Sequence, residues 1–541
     1  MRAGLLLLPC LLAAQPLRPG PQILTFRSSA DGSEQPYALY LPKAPDAQRR
    51  YPLVVSLHAE ETNHRANLIQ LLGVGPRPGD SLGAATGFPP LRDAGYAAAC
   101  PFARGTMGYG GVAERDVYDM LADVQRRLAV DPDRIYLTGV SMGGNGALWL
   151  ALTRPDVWAA AAPVSAEYVV SPELAPNALN LPIRIFHGEQ DPRVPAASAR
   201  DLHKLLLDAG DPAEYVEYPG ARHNAWDFAY AGGSLFEWFS RFRRNPAPER
   251  VRLVALSYRY RSAYWVRIDG LTPGTPAFID ARLAGRGEAE IETRNVDGFS
   301  IVGESAPALT RVRIDGAALR LRPGQALSFE RAGGRWRSGL FRAAGKRPGA
   351  EGPIAEALAD RHIYVYGTAD HPPPDVLETR RRAAERAARW STLRARITFA
   401  PAVKADSALT PADIDGCNLV LFGGRSSNSA IARLAGELPL ELEPSAADWG
   451  LVFIFPVGGR YVVVNSGLPL WNLEQAPDLP LRGTDPFAPW QFRLAGMFGD
   501  FVLFKGSAAH VVLDGRFDRN WKVPPDASAR MLATGTVAIH K

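Results

Sequence analysis

A glycine-flanked turn between a short apolar strand and a helix limits the possible folds more than any other part of this sequence. Residues 135–138 predict the strand, residues 145–153 predict the helix, and the turn between them contains Gly-Val-Ser-Met-Gly-Gly. A reversal this tight strains the backbone at Ser141, so its neighbours at Gly139 and Gly143 must lack side chains. The turn would lift the Ser141 hydroxyl above the carboxyl edge of a sheet and point the helix N-terminus at it.

The surrounding segment, residues 22–245, alternates short apolar runs with stretches of helical period. Residues 113–128, for example, carry apolar side chains at the i, i+3, i+4, i+7 spacing of an amphipathic helix. Alternation of this kind predicts a mostly parallel sheet with helices on both faces, an α/β fold. The predicted buried strands are residues 53–57, 96–100, 135–138, 158–164 and 183–186.

Two further segments follow, each after a short linker that contains proline. In residues 250–342 the apolar period changes to two, with Asp-Gly turn signals between the runs, which predicts a small antiparallel β domain. In residues 354–541 the alternation returns and predicts a C-terminal α/β domain, whose sequence indicates no role. Its predicted helix covers residues 376–390, and its predicted strands are residues 363–366, 396–399, 419–422, 451–455 and 461–464.

The composition is that of a globular protein and excludes several classes. Of the 541 residues, 46% are hydrophobic and 22% are charged, which excludes a disordered chain, a collagen and a coiled coil. The formal net charge of +5 is small for this length, and the basic residues form no dense run, so nucleic acid is not an expected partner. Three cysteines cannot form a disulfide framework. Cys100 and Cys417 are far apart in the sequence, and we do not expect a bridge between them.

Residues 1–14 have the pattern of a secretory signal peptide. Arg2 supplies a positive charge, an apolar run extends to Ala14 and prolines follow, so cleavage after Ala14 is expected. The run is about half the ~20 residues that a membrane-spanning helix needs, which disfavours a permanent anchor. Lipidation at Cys10 stays open, although the preceding Leu-Leu-Pro is a poor context for it. We therefore expect an exported protein, periplasmic or secreted, with no stable insertion in a membrane.

Ser141 needs an adjacent base to become a nucleophile, and the sequence offers a complete set of partners. Asp191 follows the predicted strand at residues 183–186 in the motif His-Gly-Glu-Gln-Asp, and His223 follows another strand–turn pattern. The order Ser, Asp, His is the one expected after a strand–turn–helix of this kind. Glu189 is a rival acid and His187 a rival base, but each fits its position less well.

Two backbone N–H groups are expected to bind the negative charge that develops on a substrate carbonyl. Met142, directly after Ser141, supplies the first, and Ala59, in the turn after the predicted strand 53–57, supplies the second. The adjacent Glu60 is unexpected beside a developing negative charge, so the identity of the second donor stays open at this point.

These motifs resemble the α/β-hydrolases, particularly esterases and the prolyl-oligopeptidase-like serine hydrolases. The resemblance covers residues 35–240 and rests on Asp-Pro-Asp-Arg-Ile-Tyr-Leu-Thr-Gly-Val-Ser-Met-Gly-Gly, on His-Gly-Glu-Gln-Asp and on the Arg-His pair that ends at His223. It implies Ser141 as nucleophile, Asp191 as orienting acid and His223 as general base. The loop after residue 102 is similar to one that such secreted esterases place beside the substrate, which makes Arg104 and Tyr109 candidate pocket residues.

The function that follows is a secreted serine hydrolase of carboxylesterase type, whose partner is a small ester or peptide substrate. A prolyl-oligopeptidase-like serine peptidase is the first alternative, because ester and amide cleavage use the same triad. Oligopeptidases of this group carry a β-propeller before the catalytic domain, whereas the extra segments here follow it, which favours an esterase. The second alternative is a binding or assembly protein with a vestigial hydrolase fold. No metal-ligand spacing is found, no cofactor is implied, and the oligomeric state stays open.

The segment at residues 60–93 is expected to line the entrance to the site. It leaves the sheet at the predicted oxyanion turn and is rich in Gly and Pro, and only residues 66–72 look helical. Long irregular loops in compact domains often serve as lids or binding loops. Because this segment lacks the apolar helix of a lipase lid, we expect small or polar acyl groups to be preferred over long fatty chains.

Overall fold

The computed structural model describes most of the chain, namely residues 17–43, 50–73, 88–167, 171–304, 306–322, 324–391, 396–471 and 486–540. The predicted signal peptide and residues 74–87 of the predicted entrance segment lie outside the described residues. Within the described ranges, no helix is both long and apolar enough to cross a bilayer. The elements form three groups, called here the N-terminal unit (20–240), the β unit (250–338) and the C-terminal unit (354–539).

Strands and helices alternate through most of the N-terminal unit, as the sequence predicts. Its strands are β1 (Gly20–Arg27), β2 (Glu34–Leu41), β3 (Tyr51–Leu57), β4 (Ala97–Pro101), β5 (Val130–Val140), β6 (Ala160–Val164), β7 (Ile183–Gly188) and β8 (Ala213–Tyr218). Its helices are α1 (His64–Leu72), α2 (Val112–Arg127), α3 (Met142–Thr153), α4 (Ala196–Asp208), α5 (Trp226–Ala229) and α6 (Ser234–Ser240), with 3₁₀ helices at Pro172–Asn180 and Ala231–Gly233.

These eight strands form one sheet in the order β1-β2-β4-β3-β5-β6-β7-β8. The six neighbouring strands β4-β3-β5-β6-β7-β8 are parallel, and β1 and β2 add an antiparallel edge. Every residue of β3, β4 and β6 is buried, because helices cover both faces of a sheet of this kind. The predicted α/β-hydrolase fold is thereby confirmed.

The β unit consists of two five-stranded sheets that enclose a single apolar cluster. Its strands are β9 (Arg250–Ala255), β10 (Ser262–Ala263), β11 (Val266–Leu271), β12 (Ala277–Leu283), β13 (Glu288–Arg294), β14 (Val296–Ile301), β15 (Arg311–Ile314), β16 (Ala317–Arg320), β17 (Ser328–Ala332) and β18 (Arg335–Ser338), with a 3₁₀ helix at Tyr258–Tyr260. The sheet orders are β10-β11-β14-β17-β18 and β16-β15-β13-β12-β9. The unit is antiparallel as predicted, except that β13 and β15 pair in parallel.

The C-terminal unit is a second α/β layer structure. Its strands are β19 (His362–Tyr366), β20 (Ala402–Ala405), β21 (Asn418–Phe422), β22 (Leu440–Leu442), β23 (Trp449–Val457), β24 (Arg460–Gly467), β25 (Phe501–Lys505), β26 (Val511–Gly515) and β27 (Val537–Ile539). Its helices are α7 (Ile354–Leu358), α8 (Pro374–Ala388), α9 (Pro411–Gly416), α10 (Ser429–Leu434), α11 (Trp490–Gly496) and α12 (Pro525–Ala533), with a 3₁₀ helix at Asp406–Ala408. The main sheet runs β20-β19-β21-β24-β23-β25-β26, and β22 pairs with β27.

One predicted strand of the C-terminal unit is wrong. Residues 396–399 are not a strand of its sheet, and β20 at Ala402–Ala405 pairs with β19 instead. Ile397 forms a single antiparallel bridge with Gly105 of the N-terminal unit. The apolar alternation therefore reflects burial outside a sheet, with Ile397 bridged to Gly105 and the Phe399 ring packed on Trp390 and His362 of its own unit.

The three units are joined by buried contacts as well as by the chain. The Asn177 side chain, which is buried, donates to the carbonyls of Leu152 and Val254 and accepts from the Val254 N–H, so it ties the N-terminal unit to the β unit. The N-terminal and C-terminal units share one continuous apolar cluster. Whether each segment folds on its own stays a prediction.

Candidate active site

Ser141 lies in the tight turn between β5 and α3, with φ 54° and ψ −117°. This is a left-handed conformation that a side-chain-bearing residue adopts only under constraint from its surroundings. A Cβ on Gly139 would lie 2.1 Å from the Gly143 carbonyl oxygen, and a Cβ on Gly143 would lie 2.2 Å from the Leu57 carbonyl oxygen. Both glycines are therefore required for the turn to pack against β3, as the sequence predicts.

A chain of hydrogen bonds joins the three residues that the sequence selects. His223 Nε2 lies 2.9 Å from Ser141 Oγ, and His223 Nδ1 lies 2.7 Å from Asp191 Oδ2. The Asp191 side chain is fully buried, whereas 12% of the His223 side chain is exposed. The geometry is that of a nucleophile, a base and an acid that orients the base.

Backbone contacts bring the loops of Asp191 and His223 together. Gly188 ends β7, and a Cβ there would lie 2.0 Å from the Arg222 carbonyl oxygen, so only glycine permits this approach. The Gln190 N–H donates to the Ala221 carbonyl, which joins the two loops directly. On the other side, the Ser165 hydroxyl donates to the His223 carbonyl at 2.8 Å. His223 is thus held by its backbone as well as by its ring.

The two predicted oxyanion donors lie on either side of the turn. Met142 is the first residue of α3, and Ala59 follows the end of β3. Among the described residues, neither of these N–H groups has a hydrogen-bond acceptor. The Cβ position of Gly143 lies 2.8 Å from the His58 carbonyl oxygen, so the turn after β3 packs closely on the start of α3.

The unexpected Glu60 has a cationic partner. Its carboxylate accepts a hydrogen bond from Arg193 at 3.1 Å, and Arg193 follows Asp191 in the same loop. The ion pair therefore spans the two loops that flank Ser141 and offsets the charge of Glu60. Sequence reasoning missed Arg193, and it also missed Trp226, whose ring meets the His223 ring edge-on at 5.5 Å.

Arg104 is a buried residue and does not line a substrate pocket. Its side chain has no exposed surface and is paired with Asp116 of α2 and with Asp31. Burial opposes ionisation of Asp31, but hydrogen bonds from Arg104 and Ser33 outweigh it and lower the pKa of Asp31 to about 2. Arg104 is a structural cation, and a guanidinium without exposed surface cannot contact a substrate.

Tyr109 is also buried rather than exposed in a pocket wall, with 1% of its surface accessible. Its hydroxyl donates to the His58 carbonyl at 3.1 Å. A Cβ on Gly146 of α3 would lie 2.5 Å from the Tyr109 ring. Tyr109 therefore packs between the nucleophile helix and the turn that carries Ala59.

The rival acid and base occupy supporting positions. The Glu189 carboxylate accepts the Gly220 N–H at 2.8 Å and makes no recorded contact with His223. His187 is fully buried, and its Nε2 lies 3.0 Å from the Val194 carbonyl oxygen and 3.4 Å from Asp191 Oδ2. It thus lies near the same Asp191 oxygen that His223 contacts, and it makes no hydrogen bond to Ser141.

Neither a metal centre nor a thiol site is formed by the residues that the structure describes. They contain no group of three or more His, Cys, Asp or Glu side chains placed to hold a metal ion. Cys100 and Cys417 are both buried and free, and burial raises the pKa of each thiol.

The family comparison agrees with this geometry. Residues 107–229 match the model of the dienelactone hydrolase family, and this span contains Ser141, Asp191 and His223. The N-terminal unit therefore has the α/β-hydrolase fold, and residues 107–229 within it are similar to a family of hydrolases.

Two curated proteins are related to parts of the chain. An uncharacterized secreted protein of Arthroderma benhamiae is 25% identical over 394 residues, which cover 65% of this chain and 40% of that protein. Acyl-protein thioesterase 1 of Gibberella zeae is 33% identical over 100 residues, which cover 17% of this chain and 43% of that protein. The chain thus spans about two fifths of the length of these curated relatives. Among solved structures, a thermostable esterase is 25% identical with a TM-score of 0.35, covering 41% of this chain and 63% of that chain.

Proposed function

We propose that this chain is a secreted serine hydrolase of carboxylesterase type. The premise is that its N-terminal unit has the α/β-hydrolase fold. The single observation that carries the proposal is the hydrogen-bonded series Ser141–His223–Asp191 at 2.9 and 2.7 Å. A serine on a strained turn with a base and a buried acid in line is the arrangement that acyl transfer requires.

In the first step, Ser141 Oγ attacks the ester carbonyl carbon and its proton passes to His223 Nε2. Asp191 accepts a hydrogen bond from His223 Nδ1, which orients the ring and stabilises the imidazolium that forms. The carbonyl oxygen becomes an oxyanion and accepts hydrogen bonds from the Ala59 and Met142 N–H groups. The imidazolium then gives its proton to the departing alcohol, which leaves Ser141 acylated.

In the second step, water replaces the alcohol. His223 removes a proton from the water, the resulting hydroxide attacks the acyl carbonyl, and the same two N–H groups bind the second oxyanion. Collapse of this intermediate releases the carboxylic acid and returns the proton to Ser141 Oγ. No cofactor takes part in this scheme.

Labelling with a fluorophosphonate tests the nucleophile. We expect the purified wild-type protein to be labelled and Ser141→Ala to be unlabelled, with ester turnover reduced by about 10³-fold or more. Ser240→Ala provides a control, since Ser240 is exposed at the end of α6. Equal labelling of wild type and Ser141→Ala would refute the proposal, and wild-type protein that neither labels nor hydrolyses esters would support a binding role instead.

Parallel substrates distinguish an esterase from a peptidase. We expect turnover of p-nitrophenyl acetate to exceed that of a prolyl-amide substrate, with rates falling along a series of p-nitrophenyl esters as the acyl chain lengthens. This preference rests on the polar entrance segment in the sequence. Rates that rise toward long acyl chains and increase at a lipid interface would contradict it.

Export is part of the same proposal. The pattern of residues 1–14 and the secreted relative from Arthroderma benhamiae support it. N-terminal sequencing of the protein after expression with its native leader should give a mature chain that begins just after Ala14. An uncleaved or lipid-modified N-terminus would contradict it.

A further inference from the structure

The peptide group between His58 and Ala59 is anchored on its carbonyl side. The Tyr109 hydroxyl donates to the His58 carbonyl at 3.1 Å, while the Ala59 N–H of the same peptide has no acceptor among the described residues. In a planar trans peptide the C=O and N–H bonds point in opposite directions. Fixing the carbonyl with Tyr109 therefore fixes the direction in which the Ala59 N–H points.

The Tyr109 side chain has little freedom of its own. Its ring lies against Gly146 of α3, where a Cβ would approach it to 2.5 Å, and it meets the His58 ring edge-on at 5.9 Å. α3 begins directly after Ser141. Tyr109 thus sets the position of the Ala59 peptide relative to the helix that carries the Met142 N–H.

The loop that contains Tyr109 also contacts the His58 side chain, through Phe102 at its other end. His58 Nε2 lies 2.9 Å from the Phe102 carbonyl oxygen, and the two rings stack at 6.0 Å. Residues 102–109, called here the support loop, therefore contact His58 through Phe102 at one end and Tyr109 at the other. A shift of the loop would move the peptide that carries the Ala59 N–H.

The support loop is held in a strained conformation. Ala103, Arg104 and Gly105 are consecutive left-handed residues, with φ values of 44°, 67° and 87°. For residues with side chains this conformation costs on the order of 1 kcal/mol each, so it persists only where neighbouring groups impose it. Arg104 supplies one such constraint through its buried pairing with Asp116.

The second constraint comes from the C-terminal unit. Gly105 and Ile397 form an antiparallel bridge, the Thr106 N–H donates to the Arg396 carbonyl, and the Thr398 N–H donates to the Arg104 carbonyl. The Phe399 ring lies 5.5 Å from the Arg104 guanidinium carbon. Residues 396–399 thus pair with the support loop through this bridge and two hydrogen bonds.

We propose that the C-terminal unit is part of the catalytic apparatus of the N-terminal unit, because its residues 396–399 hold the support loop and, through the positioning residue Tyr109, orient the Ala59 N–H toward the oxyanion. This inference rests on the proposed esterase function. It gives the C-terminal unit a role that requires no ligand of its own.

Tyr109→Phe tests the positioning residue. The variant keeps the ring against Gly146 and loses only the hydroxyl. We expect kcat for p-nitrophenyl acetate to fall by roughly tenfold, the loss of one hydrogen bond, with KM changed by less than about twofold. Affinity for phenylboronic acid, which forms a tetrahedral adduct with serine, should weaken by the same factor as kcat. If Tyr109 had only a structural role, the variant would have a lower melting temperature without equal losses in kcat and in affinity for phenylboronic acid.

Gly105→Ala tests the contact with the C-terminal unit. A Cβ at Gly105 would lie 2.3 Å from the Arg396 carbonyl oxygen, so the variant must separate residues 396–399 from the support loop. Gly95→Ala is the matched control, since Gly95 has φ 71° but has no atom within 4 Å of its Cβ position. We expect Gly105→Ala to lower kcat with little effect on KM and to weaken phenylboronic acid binding, while Gly95→Ala shows only the stability loss of a left-handed alanine.

The outcomes separate the two proposals. Wild-type protein that neither reacts with fluorophosphonate nor hydrolyses p-nitrophenyl acetate would overturn the esterase function and this inference together. An active wild type with unchanged kcat in Tyr109→Phe would overturn the positioning role alone. Equal kinetics in Gly105→Ala and Gly95→Ala would overturn the contribution of the C-terminal unit.

Discussion

Asp191 is held mainly by backbone donors. Its Oδ1 accepts the N–H groups of Arg193 and Val194 at 2.8 and 3.0 Å, which leaves Oδ2 to face His223. A carboxylate fixed in this way determines which tautomer and which ring orientation the histidine adopts. The acid therefore acts through geometry, and a neutral side chain of the same shape should fail in its place.

The first prediction compares Asp191→Asn with Glu189→Gln, two isosteric changes in one loop. In Asp191→Asn the amide can donate to His223 and favour the wrong tautomer, so kcat should fall by up to about 10⁴-fold. Glu189→Gln should retain activity within about threefold, because the Glu189 carboxylate accepts from the Gly220 N–H and not from His223. Steady-state hydrolysis of p-nitrophenyl acetate measures both. A larger loss in Glu189→Gln would reassign the acid.

A second residue-scale prediction concerns Asp211, between α4 and β8. Its two carboxylate oxygens are buried and have no hydrogen-bond partner among the described residues, and burial raises its pKa to about 7, with Arg252 offsetting part of the effect. Because the folded state holds this proton more tightly than the unfolded state, stability should fall as pH rises from about 4 to about 7 and then level off.

Asp211→Asn removes this titration. At pH 8 its free energy of unfolding should exceed that of wild type by on the order of 2 kcal/mol once solvent screening is allowed for, and its melting temperature should be higher. Both advantages should vanish near pH 4. Thermal unfolding across this pH range provides the measurement, and the exposed Asp208→Asn is the control. A constant difference between Asp211→Asn and wild type at all pH values would contradict the assigned cause.

At the scale of elements, the sequence predicts the local features of the N-terminal unit well. The strand, glycine turn and helix around Ser141 follow from chain-local requirements, namely a buried apolar run before the turn, space for a close approach in it and a second apolar run after it. The loops of Asp191 and His223 could be placed because parallel strands end at the same edge of the sheet. Their meeting at hydrogen-bond distance follows from that shared edge.

The contacts between distant elements could not be predicted in the same way. Arg104 and Tyr109 look like loop residues near a pocket, yet their roles depend on Asp31, Asp116 and Gly146, whose proximity only the fold reveals. Residues 396–399 have the composition of a strand, but they pair with the support loop through one bridge, and only Ile397 and Phe399 are buried. Burial by another unit and burial within a sheet leave the same pattern in a sequence.

The element-scale prediction concerns the link between the support loop and α2. Arg104 and Asp116 are both fully buried, and burial raises the pKa of Asp116 although Arg104 opposes this. Arg104→Gln leaves Asp116 without its cation and should destabilise the protein by about 3–5 kcal/mol, a fall of roughly 10 °C in melting temperature. Arg382→Gln, which breaks the exposed i, i+4 pair with Glu378 on α8, should have little measurable effect. Similar melting temperatures for the two variants would show that the buried pair contributes nothing.

At the scale of the whole molecule, the apolar clusters do not follow the order of the units along the chain. Among the described residues, one cluster is formed mainly by buried residues of the N-terminal and C-terminal units, and the β unit adds buried Val254, with Leu256 and Phe278 packed against the cluster. A separate cluster lies wholly within the β unit and contains the Phe299, Phe329 and Trp336 rings. Units that share a core should lose it together, and a unit with its own core can melt alone.

The last prediction is that calorimetry gives two unfolding transitions, one for the β unit and one for the joined N-terminal and C-terminal units. Phe329→Leu removes a fully buried ring from the β unit and should lower only the first transition. Leu421→Ala leaves a cavity in β21 of the C-terminal unit and should cost about 2–5 kcal/mol in the second. The temperature at which ester hydrolysis is lost should move with Leu421→Ala and stay fixed with Phe329→Leu. If Leu421→Ala does not change the temperature at which ester hydrolysis is lost, the N-terminal unit unfolds independently of the C-terminal unit that packs on its support loop.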